Sequence, residues 1–269
     1  MFGHELSRLA ILISSACASA ACGGDHDLGG ALLDDGGAGA PSEVPEVPGG
    51  IGLCSQGAEF ELIDDMEDED SAILLDVDGR SGVWFAFNDE SGGEQHPSPN
   101  EPFLMEQLDP ARDSSRYAAW TAGEGFVEWG GGIGFELKSQ KSYDATRYGG
   151  FAFWARRAPG GAVRLRADVT DRNTTPYGRQ CNDKTMCDRG RACDPAAMAC
   201  YDNFGVAVEL DEDWTFFSYR WEDLSQVGWS GNVYPEITRS AIYGIRFQSE
   251  PEGEFEFWID DVAFVCDAR

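Results

Sequence analysis

Alternation of apolar and polar side chains with a period of two residues is the feature that most restricts how this chain can fold. Residues 151–156 read FAFWAR and residues 163–170 read VRLRADVT, so every second side chain falls on one apolar face. A β-strand with one buried face has this pattern. Similar patterns predict strands over 60–63, 83–88, 116–122, 132–137, 205–210, 215–221, 242–249 and 255–265. Only 221–226 is predicted to make a short helical turn, so we expect an all-β fold, an antiparallel β-sandwich or jelly roll.

The last predicted strand, which contains FEFWIDDVAF over 255–264, changes phase in its middle. Its apolar residues occupy odd positions up to Ile259 and even positions from Val262 onward. A β-bulge at Asp260-Asp261 would return both halves to the core and turn one carboxylate toward the edge of the sandwich. The same Ile-Asp-Asp triplet occurs near the start of the predicted domain, at 63–65.

The N-terminal residues have the features of an export signal. A short apolar segment follows Arg8 and ends in Ala20-Ala21-Cys22, too short to span a bilayer. Residues 1–21 are predicted to be a signal peptide. The stretch 19–23 resembles a bacterial lipobox, which implies lipidation of Cys22, with ordinary signal-peptidase cleavage as the alternative. The protein is therefore expected at the outer membrane or cell surface as a lipoprotein, and otherwise in the periplasm or secreted.

Composition divides the remainder of the chain into a tether and one domain. Residues 22–50 are dominated by Gly, Ala, Pro, Asp and Glu and cannot bury enough apolar surface to offset the entropy of ordering. They are predicted to be a flexible tether. Residues 51–269 are predicted to form a single domain.

Export determines how the cysteines are interpreted, because an oxidising compartment favours disulfides. Without Cys17 and Cys22, six cysteines remain, and six allow fifteen pairings. They are Cys54, Cys181, Cys187, Cys193, Cys200 and Cys266. The four within 181–200 lack the close C-x-x-C pairs of structural zinc sites, so two disulfides are expected there. This Cys-rich loop is predicted to be inserted between the strand over 164–170 and the strand that begins near Gly205.

Charge and the missing catalytic motifs restrict the function. The formal charge of −28 repels nucleic acid and anionic membranes, so contact with a membrane is expected only through a lipid anchor. His26 and His96 lie in the tether and in a Pro-rich stretch predicted to be a loop, and no nucleophile motif occurs. Glu124, Glu128 and Glu136 are near one another in sequence and are the candidates for a hydrolytic carboxylate pair, although 48 acidic residues make such proximity common. We expect a non-catalytic protein.

A series of short motifs, in a fixed order, resembles a known family over most of residues 59–266. The motifs are LIDDME (62–67), GVW (82–84), GGIGF (131–135), YDA (143–145), YGGFAFWA (148–155), Trp214, Trp221, IYGIRF (242–247) and FWIDDVAF (257–264). They resemble the family 11 carbohydrate-binding modules and related galactose-binding-like jelly rolls, including the domain of complex I intermediate-associated proteins. The resemblance implies that the first and last strands lie side by side, and so that Cys54 pairs with Cys266.

The resemblance also implies a structural Ca²⁺ where these two strands meet. Glu67 and Asp260 correspond to ligands of that ion, with Asp65 and Asp261 as neighbouring candidates. Six of the seven residues over 64–70 are acidic, and two unit charges 4 Å apart repel by about 1 kcal/mol even in water. A hard cation that binds oxygen ligands would relieve this repulsion. A solvated acidic surface is the alternative.

In the related modules the glycan lies on the concave face of one sheet. Alternation assigns polar and aromatic side chains to the non-core face of several strands here, and we expect the arginines among them to share one sheet. The residues assigned in this way are Trp154, Arg156, Arg164, Arg166, Asp168, Arg220, Arg246 and Gln248, and Tyr219 and Trp229 are further candidates for a ring that contacts the sugar. Arginine and aspartate can bind sugar hydroxyls in pairs, and aromatic rings can stack on sugars. A salt-bridged outer surface is the alternative.

Together these features predict a monomeric, surface-anchored module that binds neutral polysaccharide. A protein-binding or structural envelope lipoprotein of the same fold is the second possibility, and a glycan-active enzyme is the third.

Overall fold

Two antiparallel β-sheets form the structure, a computed structural model that describes residues 53–74, 79–181, 199–251 and 253–267. The predicted signal peptide, the tether, Cys22, Cys187 and Cys193 lie outside the described residues. The described residues include no helix long and apolar enough to cross a membrane. The all-β prediction is confirmed.

Twelve strands are formed by the described residues. They are β1 (Phe60–Asp64), β2 (Trp84–Asn88), β3 (Glu94–His96), β4 (Glu106–Arg112), β5 (Ser115–Glu124), β6 (Gly131–Glu136), β7 (Tyr148–Arg157), β8 (Arg164–Asp171), β9 (Phe204–Glu209), β10 (Thr215–Arg220), β11 (Ile242–Ser249) and β12 (Phe255–Cys266). The larger sheet has seven strands, in the order β10-β7-β12-β5-β3, with β1 paired to β12 and β4 to β5. The smaller sheet has five strands in the order β2-β6-β11-β8-β9.

Short 3₁₀ turns precede or connect some of these strands. They span Leu53–Gln56, Pro176–Gly178, Trp221–Asp223 and Arg239–Ala241. The third lies within the short turn predicted over 221–226.

The hydrophobic core lies between the two sheets. Phe153 of β7 and Phe247 of β11 are fully buried, and their ring centroids are 4.8 Å apart. On β8 the residues Leu165, Ala167 and Val169 are buried, as the alternation predicts. Burying one such large side chain stabilises the fold by about 1.5–3 kcal/mol. Alternate residues of the smaller sheet are therefore left on its outer face.

Strand β12 lies in the interior of the larger sheet and contains the predicted bulge. Its register with β7 shifts between Asp260 and Ala263, and Asp261 has φ of 44°. The first and last strands pair, with Phe60 opposite Val265, and the predicted disulfide between Cys54 and Cys266 is present. Closing a loop with a sequence separation of 212 stabilises the fold by about 5 kcal/mol in chain-entropy terms.

The Cys-rich insertion lies where it was predicted, between β8 and β9, and Cys181 is bonded to Cys200. Two strands were not predicted from the sequence. β3 has three residues and β4 is mostly exposed, so neither has a clear apolar alternation. The expected loop position of His96 was wrong, because His96 is the last residue of β3.

Candidate functional site

A groove of about 1000 Å³ lies on the outer face of the smaller sheet. Side chains of β2, β6, β8 and β11 line it, together with residues from the segments that contain Trp129, Tyr177, Tyr201 and Trp229. Strand β6 contributes little bulk to this face because Ile133 and Phe135 are buried in the core, leaving Gly132 and Gly134 on the other side. A Cβ atom on Gly134 would lie 2.9 Å from Cγ of Arg246. Gly134 therefore lets the Arg246 side chain lie against β6 at the groove.

The base of the groove is a connected set of charged and amide groups. Arg246 of β11 and Asp168 of β8 lie opposite each other, and Nε of Arg246 donates to Oδ1 of Asp168 at 3.1 Å. Asn203 donates to the same carboxylate through Nδ2 at 2.8 Å. Arg166 donates to the carbonyl oxygens of Asn203, at 3.1 Å, and of Ser225. Oδ1 of Asn203 is buried and has no hydrogen-bond partner among the described residues.

Aromatic rings line both sides of this polar base. Phe87 of β2 stacks on Trp129, with ring centroids 6.1 Å apart and planes inclined by 27°. The guanidinium of Arg246 lies 4.9 Å from the centroid of the Phe87 ring. Tyr177 and Tyr243 form a second stacked pair at 6.3 Å.

The most exposed of these rings are on loops. Trp229 is 58% exposed, Tyr201 42% and Trp129 40%. Large apolar side chains are usually buried, so a group of exposed rings around one groove indicates a binding surface.

Two carboxylates hold the loops that present the tryptophans. Oδ2 of Asp89 accepts hydrogen bonds from the backbone N–H groups of Glu128, Trp129 and Gly130, at 3.0, 2.9 and 2.9 Å. Partial burial acts to raise the pKa of Asp89, but hydrogen bonds from Ser91, Gly130 and Trp129 outweigh it and lower that pKa to about 2.

The second carboxylate, Asp202, is buried and acts on the loop over 227–230. Its Oδ1 accepts from the backbone N–H groups of Val227 and Gly228, at 3.0 and 3.2 Å. Its Oδ2 accepts from Gly228 at 3.0 Å and from both the backbone N–H and the hydroxyl of Ser230. Gly228 has φ of 96°, a conformation that favours glycine.

Five of the ten predicted ligand-binding residues line the groove. They are Arg166, Asp168, Trp229, Arg246 and Gln248. Gln248 donates to the carbonyl oxygen of Trp129 at 2.8 Å, so it also supports the tryptophan loop. Arg164 begins β8 on the same sheet but does not line the groove, and it forms an exposed ion pair with Glu209.

The other four predicted residues lie in the larger sheet, so the expectation that the arginines share one sheet was wrong. Trp154 and Arg156 belong to β7, and Tyr219 and Arg220 belong to β10, its neighbour. Alternation identifies which side of a strand faces the core but does not identify the sheet that the strand joins.

These four side chains already have protein contacts. The guanidinium of Arg112 lies 4.7 Å from the Trp154 ring, and that of Arg156 lies 4.2 Å from the Trp258 ring. Tyr219 packs against Phe151 and Phe153, and Arg220 pairs with Asp267.

Most of the aromatic residues in the groove were not predicted. Phe85 and Phe87 could have been found, because Trp84 and Ala86, which alternate with them along β2, are buried, so both phenylalanines fall on the outer face. Trp129, Tyr177 and Tyr201 lie outside the strands, where no periodicity marks them. Tyr243 lies on β11 within the IYGIRF motif, but its position on the outer face, between buried residues, was not predicted.

The three carboxylates considered for hydrolysis do not all lie at the groove. Glu136 ends β6, lines the groove and accepts a hydrogen bond from the backbone of Gln140 at 2.9 Å. Glu128 is in the loop of Trp129, and Glu124 ends β5 in the larger sheet.

The predicted calcium ligands are near one another but are already engaged. Asp260 is fully buried, and its Oδ2 accepts from Nε of Arg112 at 2.9 Å and from the hydroxyl of Ser115 at 2.7 Å. Nη2 of Arg112 donates to Asp261. Burial raises the pKa of both carboxyl groups, against the opposing charge of Arg112.

Glu67 and Asp65 are also occupied by protein donors. Oε1 of Glu67 accepts from the backbone N–H groups of Arg116 and Tyr117, at 2.6 and 3.0 Å, while Oε2 accepts from the Arg116 side chain. Oδ1 of Asp65 accepts from the backbone of Glu67 at 3.3 Å. In the described ranges no group of three or more His, Cys, Asp or Glu side chains is arranged to hold a metal ion. As placed, these carboxylates do not fit a calcium site, because a guanidinium and backbone amides already bind them; the calcium expectation stays a prediction.

Similarity to known proteins was found among solved structures. No protein-family model matches the chain, and no curated protein matches it. A family 11 carbohydrate-binding module of a Clostridium thermocellum cellulosomal cellulase has a TM-score of 0.46 at 10% identity, over 78% of this chain and 96% of the module. A family 30 module of a cellulosomal cellulase from the same organism has a TM-score of 0.46 at 11% identity, over 75% and 96%.

A further structure is of the Clostridium thermocellum family 11 module in complex with a β-1,3-1,4-mixed-linked tetrasaccharide. It matches with a TM-score of 0.44 at 11% identity, over 69% of this chain and 90% of the module. At such identities no residue's role is transferred from these modules to this chain.

Proposed function

We propose that this protein is a non-catalytic module that binds a neutral polysaccharide chain in the groove of the smaller sheet. The observation that carries the proposal is the combination of exposed rings with the Arg246–Asp168–Asn203 set in one groove. Aromatic rings can pack against the apolar faces of sugars, while guanidinium, carboxylate and amide groups bind hydroxyls as donors and acceptors. A sugar hydroxyl can both donate and accept a hydrogen bond, so it fits a surface that offers N–H donors beside carboxylate and amide oxygens.

The electrostatics favour a neutral chain over an acidic one. Arg246 is paired with Asp168, so its charge is already balanced within the protein. The formal charge of −28 would also repel a polyanion over a distance comparable to the Debye length.

Export and surface anchoring belong to the same proposal. Two disulfides in the described residues are typical of a protein that matures in an oxidising compartment. We propose that residues 1–21 direct export, that Cys22 is lipidated, and that 22–50 is a tether for a monomeric domain. Mass spectrometry of the mature N-terminus from a bacterial host tests this, because a diacylglyceryl group on Cys22 and an unmodified cleaved terminus differ in mass.

Retardation in native gels that contain soluble polysaccharides tests the binding function. Wild-type protein should be retarded by at least one neutral polysaccharide and not by acidic ones. Replacing Trp229 by Ala should weaken retardation about tenfold, which corresponds to about 1.4 kcal/mol. The matched control is Trp120→Ala, since Trp120 lies on β5 in the larger sheet, away from the groove.

Other outcomes favour the alternatives. An absence of retardation across a broad glycan panel contradicts carbohydrate binding and favours a protein-binding or structural envelope role. Release of reducing sugar favours a glycan-active enzyme; the first residue to test is then Glu136, because it lines the groove.

A further inference from the structure

Two loops present tryptophans from different sides of the groove, and in each a single carboxylate binds several backbone N–H groups. The first loop, residues 125–130, contains Trp129, and the second, residues 227–230, contains Trp229. Trp129 precedes β6 and stacks on Phe87 of β2, the edge strand at one side of the smaller sheet. Trp229 lies on a loop bound to Asp202, which precedes β9 at the opposite edge. From β6 to β9 there are three inter-strand spacings, roughly 14 Å in total.

Apolar burial fixes only the start of the first loop, where Phe126 is buried against Phe255, and it leaves the tips of both loops without a buried apolar side chain. Val127 and Trp129 are exposed in the first loop, and Val227 and Trp229 are exposed in the second. The hydrogen bonds instead converge on single carboxylates, because one oxygen of Asp89 accepts three successive backbone N–H groups and Asp202 accepts from Val227, Gly228 and Ser230.

The carboxylate form is required for this arrangement. Each ionised oxygen accepts several hydrogen bonds, whereas an amide has one oxygen and an NH₂ group that cannot accept. An asparagine at either position would therefore turn an N–H donor toward backbone N–H donors or leave some of them unpaired. Hydrogen bonds to a charged acceptor are also stronger than neutral ones.

We infer that Asp89 and Asp202 are positioning residues for glycan binding, each holding one tryptophan in the orientation that contacts the ligand. This inference rests on the proposed function, and it adds residues to which no ligand contact is assigned. The carboxylates act through Trp129 and Trp229, not by binding the sugar themselves.

Double-mutant cycles with the full mature chain test the inference. Asp89→Asn should weaken binding of a retarding polysaccharide about tenfold in the wild-type background and less than about twofold when Trp129 is already Ala. Asp202→Asn should behave in the same way with Trp229→Ala. In the crossed pairs, Asp89→Asn with Trp229→Ala and Asp202→Asn with Trp129→Ala, the losses of binding free energy should add.

Asp144→Asn is the matched control, because Oδ1 of Asp144 accepts from the backbone and hydroxyl of Thr146 in a loop that does not line the groove. The Asp144→Asn variant should bind the polysaccharide with the affinity of the wild type. Equal losses from Asp89→Asn with and without Trp129 would overturn the positioning role, since the carboxylate would then act by another route.

Amide hydrogen exchange without any ligand separates this inference from the proposed function. Asp89→Asn should accelerate exchange at residues 128–130 selectively, and Asp202→Asn at 227–230. Wild-type exchange rates in these loops would overturn the inference even if glycan is bound. If no glycan is retained by the wild type, the proposed function fails and the inferred role in glycan binding fails with it, whereas faster exchange still establishes that the carboxylates order the loops.

Discussion

Arg246 and Asp168 face each other across β11 and β8, and two hydrogen bonds join them, from Nε to Oδ1 at 3.1 Å and from Nη2 to Oδ2 at 3.3 Å. Asp168 is buried and Arg246 is partly exposed in the groove. The pair therefore brings a charged donor to the ligand surface while balancing its charge from beneath.

Replacing Asp168 by Asn should change both the affinity and the charge selectivity of the groove. Arg246 would lose its counter-charge, and leaving a partly buried charge unpaired costs about 1–3 kcal/mol of unfolding free energy. Retardation by neutral polysaccharide should weaken, and retardation by a polyuronate should appear at low salt. Urea unfolding and native gels measure the two effects.

Glu209→Gln is the control for the Asp168 variant. It breaks the exposed pair between Glu209 and Arg164 on the same sheet, which lies outside the groove. Exposed pairs contribute about 0–1 kcal/mol, so stability and glycan selectivity should both remain near wild type. Identical behaviour of the two variants would contradict the role given to Asp168.

The fold was largely predictable because alternation is a local signal. Burial of Leu165, Ala167 and Val169 follows from the sequence of β8, and the phase change in β12 identified the bulge at Asp260. Assignment of strands to sheets depends on pairing between distant segments, so alternation put Trp154 on the correct side of β7 but could not identify its sheet.

The parts of the site that escaped prediction lie in irregular segments. Asp89 and Trp129 are 40 residues apart, and their contact depends on how the loop before β6 returns to the end of β2. Arg112 is 148 residues from Asp260 and belongs to β4, a strand with little apolar pattern. An arginine partner for the Asp pair was therefore not foreseen from the sequence.

Arg112 should contribute more to stability than any divalent cation. Arg112→Gln leaves Asp260 buried without its charge partner, which should cost about 3–5 kcal/mol of unfolding free energy. Treating wild-type protein with EDTA should leave the melting temperature unchanged, because the carboxylates are already bound by protein donors. A clear fall on chelation, reversed by Ca²⁺, would instead support the calcium site predicted from the sequence.

The two disulfides should have different effects on the groove. Cys200 directly precedes Tyr201 and Asp202, which both line the groove, so replacing Cys181 and Cys200 by Ala should weaken glycan binding severalfold. It should also cost up to about 3 kcal/mol of stability in chain-entropy terms. Replacing Cys54 and Cys266 by Ala should lower the melting temperature further, with little change in affinity for the folded protein. Equal loss of affinity in both double variants would contradict this assignment.

Asp64 should make the domain less stable as the pH rises from about 4 to about 7. Burial raises its pKa from 3.8 to about 7, although hydrogen bonds from Trp84 and Met66 oppose the rise. Between these values the unfolded chain has lost a proton that the folded chain keeps, so the free energy of unfolding falls as pH increases. The fall from this group should be a few kcal/mol between about pH 4 and about pH 8.

Asp64→Asn provides the test, because asparagine cannot ionise but has one acceptor oxygen for the two donors, Trp84 Nε1 at 2.7 Å and Met66 N at 3.3 Å. The lost hydrogen bond should make the variant about 1 kcal/mol less stable than wild type near pH 4. Near pH 8 the order should reverse, since only the wild type then buries a charged carboxylate without a cation partner. Thermal melts across this pH range measure the crossing, and parallel curves for the two proteins would show that Asp64 does not titrate with a raised pKa.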